Sequence, residues 1–333
     1  MKYKDSKKLL KELKKAKRIL INVHRSPDQD GIGSALSFYE FLESKGKELK
    51  VICPSDLTKE HTFLPHAEVI EKIDFSSFDF DQWDILLCLD SANWGMVSGG
   101  LDIKMPEIKM LLIDHHVTSE RFAKVNIVDD KVSSTCELVY LLFKKWKIKL
   151  SRDICQNLLA GIICDTGVFE YPNTSSQTLG IVKELMDKGA NKNEIVEKVY
   201  RNYPFNKLKL WGKILEDMQF DKENKFVYSA VSYESYKEYG EPVSAKETSA
   251  SMFCPIIDGA DFGMVMIEED KEKLTVSFRS KKDFDVSRLA KDLDGGGHRL
   301  AAGATITGEE FPKAVNKVIK VAMKYAQKDK TNL

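Results

Sequence analysis

The stretch His24-Arg25-Ser26-Pro27-Asp28-Gln29-Asp30-Gly31-Ile32-Gly33-Ser34 links an apolar run, Ile19-Leu20-Ile21-Asn22-Val23, to a helix-like segment, Ala35 to Ser44. That segment carries Leu36, Phe38, Phe41 and Leu42 at helical spacing. A strand, a loop with His-x3-Asp-x-Asp and a helix put borderline and hard ligands where a parallel sheet presents its chemistry. Pro27 fixes its φ while Gly31 and Gly33 relax theirs, so the loop is expected to turn two carboxylates and an imidazole toward one point. An acidic helix start beside a solvated histidine has the same local pattern, so the rest of the chain decides between the two.

Downstream, Trp83-Asp84-Ile85-Leu86-Leu87-Cys88-Leu89-Asp90 is a continuous apolar run closed by a carboxylate, the mark of a buried parallel strand. The next strand, Lys109-Met110-Leu111-Leu112-Ile113, ends on Asp114-His115-His116, and Ala160-Gly161-Ile162-Ile163-Cys164 ends on Asp165. Four segments thus deliver acids or imidazoles where apolar structure stops. Carboxylates gathered away from water need cations to neutralise them, so the pattern predicts convergence on one metal-bearing site. His61 and His66 have no ligand-like sequence neighbours and read as surface or core histidines.

The 333 residues suffice for two domains, and 51 basic against 51 acidic residues leave no global field to attract a long polyanion or an anionic membrane. Short nucleotide ligands remain compatible with a local patch. Six cysteines (53, 88, 136, 155, 164 and 254) show no CxxC pairing and read as small buried thiols of a reducing compartment. The absence of an eighteen-residue apolar stretch and the Lys-rich amphipathic helix at Ser6 to Lys17 lead to the expectation of a cytoplasmic protein with no membrane partner.

The fold class is α/β. Helical patterns run from Ser134 to Trp146, with N-cap candidates Ser133, Ser134 and Thr135 ahead of Glu137, and from Arg152 to Cys164. Others follow at 177–188, 194–201 and 206–218. A charge-rich turn, Asp221 to Lys225, opens a second domain with strands at 226–231, 262–268 and 273–279 and a short helix at 285–293. Taken alone, Gly295-Gly296-Gly297 reads as a turn into a small-residue helix.

In this order and spacing, His24-x3-Asp28-x-Asp30, Asp90-Ser91-Ala92-Asn93, Asp114-His115-His116, Asp165-Thr166-Gly167 and the Gly295–His298 run resemble the DHH phosphoesterase superfamily. The resemblance is to its two-domain members with a DHH-associated C-terminal domain. These include bacterial nanoRNases that also dephosphorylate 3′-phosphoadenosine 5′-phosphate (pAp). It implies a parallel-sheet catalytic domain over 1–188, a helical linker over 189–220 and a smaller α/β substrate-binding domain over 221–333, with a cleft between the two domains. It further implies two divalent ions, usually Mn²⁺. His24 and Asp28 would hold one, Asp30, His115 and Asp165 the other, with Asp90 bridging.

In the same resemblance Asp114 orients a ligand histidine, and His116 faces the substrate to stabilise phosphoryl charge or protonate the leaving oxygen. The nucleophile it implies would be a hydroxide bridging ions ~3.5–4 Å apart. The mixed imidazole–carboxylate set independently favours Mn²⁺, Fe²⁺, Co²⁺ or Zn²⁺ over an all-oxygen Mg²⁺ site. In the second domain Gly295, Gly296 and Gly297 let backbone N–H groups approach an anion, His298 and Arg299 add donors, and Arg279 resembles a phosphate-contacting arginine. The resemblance also implies a substrate contact by Ser133 and Ser134, although helix capping alone accounts for both.

The chain departs from the family in having no basic residue in Trp94-Gly95-Met96, Asp294 in place of a first glycine, and Ser119 where Asn is common. None of these removes a proposed ligand. The expected activity is metal-dependent hydrolysis of short RNA or DNA oligonucleotides, linear dinucleotides or pAp, with the cyclic dinucleotide c-di-AMP as the alternative substrate. A non-catalytic nucleotide-binding regulator is disfavoured by the complete ligand set. The reading allows a homodimer.

Overall fold

Apolar runs such as Ile85-Leu86-Leu87-Cys88-Leu89 are too short for buried helices and become strands. The computed structural model describes residues 3–58, 61–100, 102–281 and 284–330, and the chain divides into two units between Asn202 and Tyr203. In chain order the first unit holds α1 (Ser6–Lys15), β1 (Arg18–Asn22), α2 (Gln29–Glu43), β2 (Glu48–Cys53), β3 (Ile70–Lys72), β4 (Ile85–Leu89) and α3 (Trp94–Ser98). It continues with β5 (Lys109–Asp114), β6 (Val125–Val128), α4 (Thr135–Lys145), α5 (Arg152–Asp165), α6 (Ser176–Asp187) and α7 (Lys192–Tyr200).

Its six strands are all parallel, in the order β3-β2-β1-β4-β5-β6. Strand order reverses at β1 and β4, so the crevice outside their carboxyl ends is where such a sheet binds ligands. Both faces are covered, which is why the strands are apolar throughout. Ile19 and Ile21 of β1 point into the core shared with α2, α4 and α5, while Leu20 joins Leu86, Leu112 and Trp94 on the other face.

Helix α2 starts at Gln29, six residues before the expected helix, so Asp30 stands in its first turn rather than in a loop. Gly31 and Gly33 do not take left-handed φ. They are required for space instead. A Cβ on Gly33 would lie 2.3 Å from the Asn157 carbonyl oxygen of α5, and one on Gly161 of α5 would lie 2.6 Å from Asp30 Oδ1. These positions allow α2 and α5 to run backbone against backbone.

The second unit comprises α8 (Phe205–Glu216), β7 (Gln219–Asp221), β8 (Phe226–Val231), α9 (Tyr233–Glu238), α10 (Ala245–Phe253), β9 (Phe262–Asp270) and β10 (Lys273–Ser280). It ends with α11 (Ser287–Lys291), β11 (Gly296–Gly297), β12 (Ala301–Thr307) and α12 (Phe311–Lys330). Its sheet runs β11-β12-β10-β9-β8-β7, antiparallel except for the β8–β9 pair. Period two is clear in β9: Phe262, Met264 and Met266 face α11 and α12, while Val265 and Ile267 face α8 and α10. The stretch 189–220 contributes α7 to the first unit and α8 to the second. After the glycines the chain forms a hairpin onto β12, not the small-residue helix the composition implied. No helix among the described residues is long and apolar enough to cross a membrane.

Candidate functional site

His24 leaves β1 with its Nδ1 2.9 Å from the Arg25 carbonyl oxygen. A carbonyl only accepts, so Nδ1 carries the proton and the neutral ring keeps its lone pair on Nε2. That Nε2 is buried with no hydrogen-bond partner. Asp28 caps α2, its Oδ1 accepting from the Asp30 and Gly31 backbone N–H groups at 3.0 Å each. The acidic cap and the ligand reading are therefore both satisfied by one carboxylate. Gly31 makes room for the ring, since a Cβ there would lie 2.6 Å from His24 Nε2.

Asp90 follows β4 in a left-handed conformation, φ +53, with its N–H donated to the Ile113 carbonyl. Strained backbone of this kind persists where the surroundings over-determine it. Its Oδ2 lies 3.5 Å from His24 Nε2, and its Oδ1 lies 3.6 Å from His115 Nε2. His24 Nε2 is 3.7 Å from Asp28 Oδ1, and His115 Nε2 is 3.4 Å from Asp165 Oδ2 and 3.9 Å from Asp30 Oδ2. The structure therefore gathers six residues predicted to hold metal into two groups, His24/Asp28/Asp90 and Asp30/His115/Asp165, with Asp90 reaching both.

These spacings are too long for hydrogen bonds. They match donors around an ion at ~2.1 Å, which stand about 3–4.3 Å apart. With the unpartnered His24 Nε2 and the mixed donor set, the residues fit divalent cations well. The electrostatics agree. Burial, then the charges of Asp90 and Asp165, hold the Asp30 carboxyl well above the usual range, and burial with Asp90 and Asp28 lifts Asp165 to about 8. Burial works against a charged His24, yet its contacts with Asp28 and Asp90 raise its pKa well above the ordinary value. Burial would raise Asp28, but His24 and the two backbone donors bring it down to about 2.

Asp114, fully buried, pairs with His116: Oδ1 lies 2.7 Å from His116 Nδ1. The expectation was that it would orient a ligand histidine; the ring it holds is the one read as facing substrate. That hydrogen bond raises the His116 pKa to about 9 despite partial burial. His116 Nδ1 is also 3.8 Å from Asp90 Oδ1.

Sequence reading missed how α4 serves the site. The backbone N–H groups of Thr135 and Cys136 donate to Asp30 Oδ2 and Oδ1 at 2.6 and 2.8 Å, and Thr135 Oγ1 donates to Asp90 Oδ1 at 2.7 Å. A helix N-terminus thus neutralises part of the carboxylate cluster. The capping pattern was visible, but its target lies 105 residues away. Ser133 and Ser134 are buried, with their hydroxyls committed to Glu137: Ser133 Oγ donates to its carboxylate and Ser134 Oγ accepts its N–H. Their capping role is thus observed. Asn173 Nδ2, also unforeseen, ties the Asp165 carbonyl to that of Ser133.

In the second unit Arg279 is the next-to-last residue of β10, with Nε donating to Ser251 Oγ at 2.8 Å. It lines a pocket of ≈ 520 Å³ together with Asp294, Gly295, Gly296, Gly297 and Lys246. A Cβ on Gly295 or Gly297 would strike β12, at 2.2 Å from Gly303 O and 2.5 Å from Ala302 Cα, whereas one on Gly296 meets nothing. Gly296 therefore leaves open space at the pocket rather than satisfying a fold constraint. His298 and Arg299 are exposed at the adjoining turn and do not line this pocket. Lys246, 7% exposed and paired with Glu269 and Glu247, is a lining residue the sequence did not reveal.

Residues 18–162 match the DHH family, N-terminal domain, and residues 224–324 match the DHHA1 domain. The chain is 29% identical over 326 residues to a bifunctional oligoribonuclease and PAP phosphatase NrnA of Thermus thermophilus, covering 95% of this chain and 93% of that protein. It is 27% identical over 293 residues to the protein of the same name from Bacillus subtilis, covering 86% and 89%. The crystal structure of an exopolyphosphatase-related protein from Bacteroides fragilis superposes with a TM-score of 0.87 at 28% identity, over 97% of this chain and 96% of that one.

Proposed function

We propose that this chain, a DHH phosphoesterase carrying a DHHA1 domain, hydrolyses short oligonucleotides and pAp with Mn²⁺ as its metal. The observation that carries the reading is Asp90, whose two oxygens face His24 and His115 separately, at 3.5 and 3.6 Å. One carboxylate so placed suits a pair of cations sharing a ligand. Both ligand sets mix imidazole with carboxylate, which suits Mn²⁺ better than Mg²⁺. When bound, the ions would supply Lewis-acid chemistry, neutralising phosphoryl oxygens and activating a water.

The chain's own residues account for the remaining steps. The Asp114 hydrogen bond, which raises the His116 pKa to about 9 in the ion-free protein, supports a role for His116 in stabilising phosphoryl charge or protonating the leaving oxygen. Asp30 is kept in place by the Thr135 and Cys136 N–H groups, so the ligand geometry is set before substrate arrives. In the second unit, Arg279 and the backbone of Gly295 to Gly297 would hold a phosphate group.

The test is a panel of pAp, linear RNA dinucleotides, a long RNA and c-di-AMP with added Mn²⁺. Phosphate release from pAp and mononucleotide release from dinucleotides are expected, with little action on the long RNA. Tight binding without turnover of any member would make the protein a nucleotide-binding regulator. Asp90→Ala should abolish turnover while the circular dichroism spectrum is retained; a near-normal rate would overturn the site.

A further inference from the structure

His66, which has no ligand-like neighbour in sequence, finds two in space. Its Nε2 lies 3.8 Å from Glu40 Oε2 and 4.0 Å from Asp153 Oδ2, and the three donor atoms lie within 4.8 Å of one another. They come from the last turns of α2, the loop before β3 and the first turn of α5. This is the opposite end of the α2–α5 pair from Asp30 and Asp165, about 15 Å along α2 by helical rise.

The separations exceed hydrogen-bonding distance, yet two of the residues carry opposite charge potential to the third. They lie close to the 3.4–3.9 Å spacings between donors in the Asp90-centred cluster. Glu40 Oε2 is also shielded from water with no hydrogen-bond partner. The Glu40 side chain is 21% exposed, yet this oxygen lacks a donor, and a cation at the centre of the three atoms would satisfy it. A plain ion pair with protonated His66 at these distances leaves that oxygen unsatisfied.

We propose that Glu40, His66 and Asp153 form a separate divalent-cation site. One imidazole and two carboxylates are a set that Zn²⁺ accepts readily, and water can complete the coordination. The ion fastens the loop ahead of β3 to the near ends of α2 and α5.

The experiment uses the full chain and Zn²⁺ as the probe. Equilibrium dialysis followed by elemental analysis should give one more zinc per chain than the Asp90-centred cluster takes. His66→Asn, chosen because Asn tolerates the left-handed φ of +67 at this position, should remove that one ion and leave Mn²⁺-dependent turnover unchanged. Glu40→Gln should weaken the same ion by roughly tenfold or more. Asp90→Ala should keep it, so failure here and failure of the catalytic assignment are distinguishable. Zinc-soaked crystals should show an anomalous peak between the three donors. Unchanged zinc content in both His66→Asn and Glu40→Gln, or no peak at these donors, would overturn the proposal.

Discussion

In the ion-free protein the hydrogen bond between His116 Nδ1 and Asp114 pushes the pKa of the ring up to about 9. Asp114→Asn preserves the shape and removes the charge, so the ring should titrate nearer its ordinary value of 6.5. If the protonated ring is what acts, the alkaline limb of the pH–rate profile should move down in this variant, and His116→Ala should lose roughly 10²–10⁴ in kcat. A limb that stays in place in Asp114→Asn would assign the proton to another group. Gly31 offers a second separation of effects. Alanine favours a helix by about 1 kcal/mol over glycine, but its Cβ would sit 2.6 Å from the His24 ring. Gly31→Ala is therefore expected to fold at least as stably in urea melts while its apparent Mn²⁺ affinity and turnover fall together. Equal affinity would mean that His24 is not held where the site needs it.

Packing between α2 and α5 depends on absent side chains, and here element and residue preferences conflict. Gly33→Ala gains helix propensity, but the new Cβ would be 2.3 Å from a backbone oxygen of α5, which cannot swing aside as a side chain can. A net loss of roughly 1–3 kcal/mol is expected in urea melts, whereas Gly212→Ala on α8, where nothing lies within 4 Å, should gain up to about 1 kcal/mol. A neutral Gly33→Ala would show that the two helices slide apart without cost. The same conflict explains what could be read in advance. Strands β1, β4 and β5 and the acids and histidines at their ends were legible because an apolar run and its polar terminus are local signals. The start of α2 was not, since Gly31 and Gly33 weaken propensity and only contact with Asn157 and the His24 ring explains them. The donation from α4 to Asp30 has no local signature either. Strand β12 has no local mark either, because Ala301-Ala302-Gly303-Ala304 lacks an apolar alternation and its pairing with β10 and β11 decides the outcome.

Across the whole molecule the charges balance at 51 each, so its pH response is set by local clusters rather than net charge. In the ion-free protein Asp165 titrates near 8 against an ordinary 3.8, and Asp30 is raised in the same sense. The native state then binds more protons than the unfolded chain, so stability present below about pH 4 is lost as pH rises toward about 8. His24 and His116 act in the same direction from their ordinary 6.5 upward, to about 9 for His116. Asp28, at about 2, has the opposite sign, but its contribution is lost only as pH falls below its ordinary 3.8, outside this window. Chelator-treated protein should therefore melt at progressively lower temperature between about pH 5 and 9. Excess Mn²⁺ should reverse the trend, because cations replace the protons that the carboxylates release and bind only the folded arrangement. The stabilisation by Mn²⁺, measured as the difference in Tm with and without the ion, should therefore grow with pH over the same range. A difference independent of pH would mean that the ions bind groups other than the Asp30 and Asp165 carboxylates.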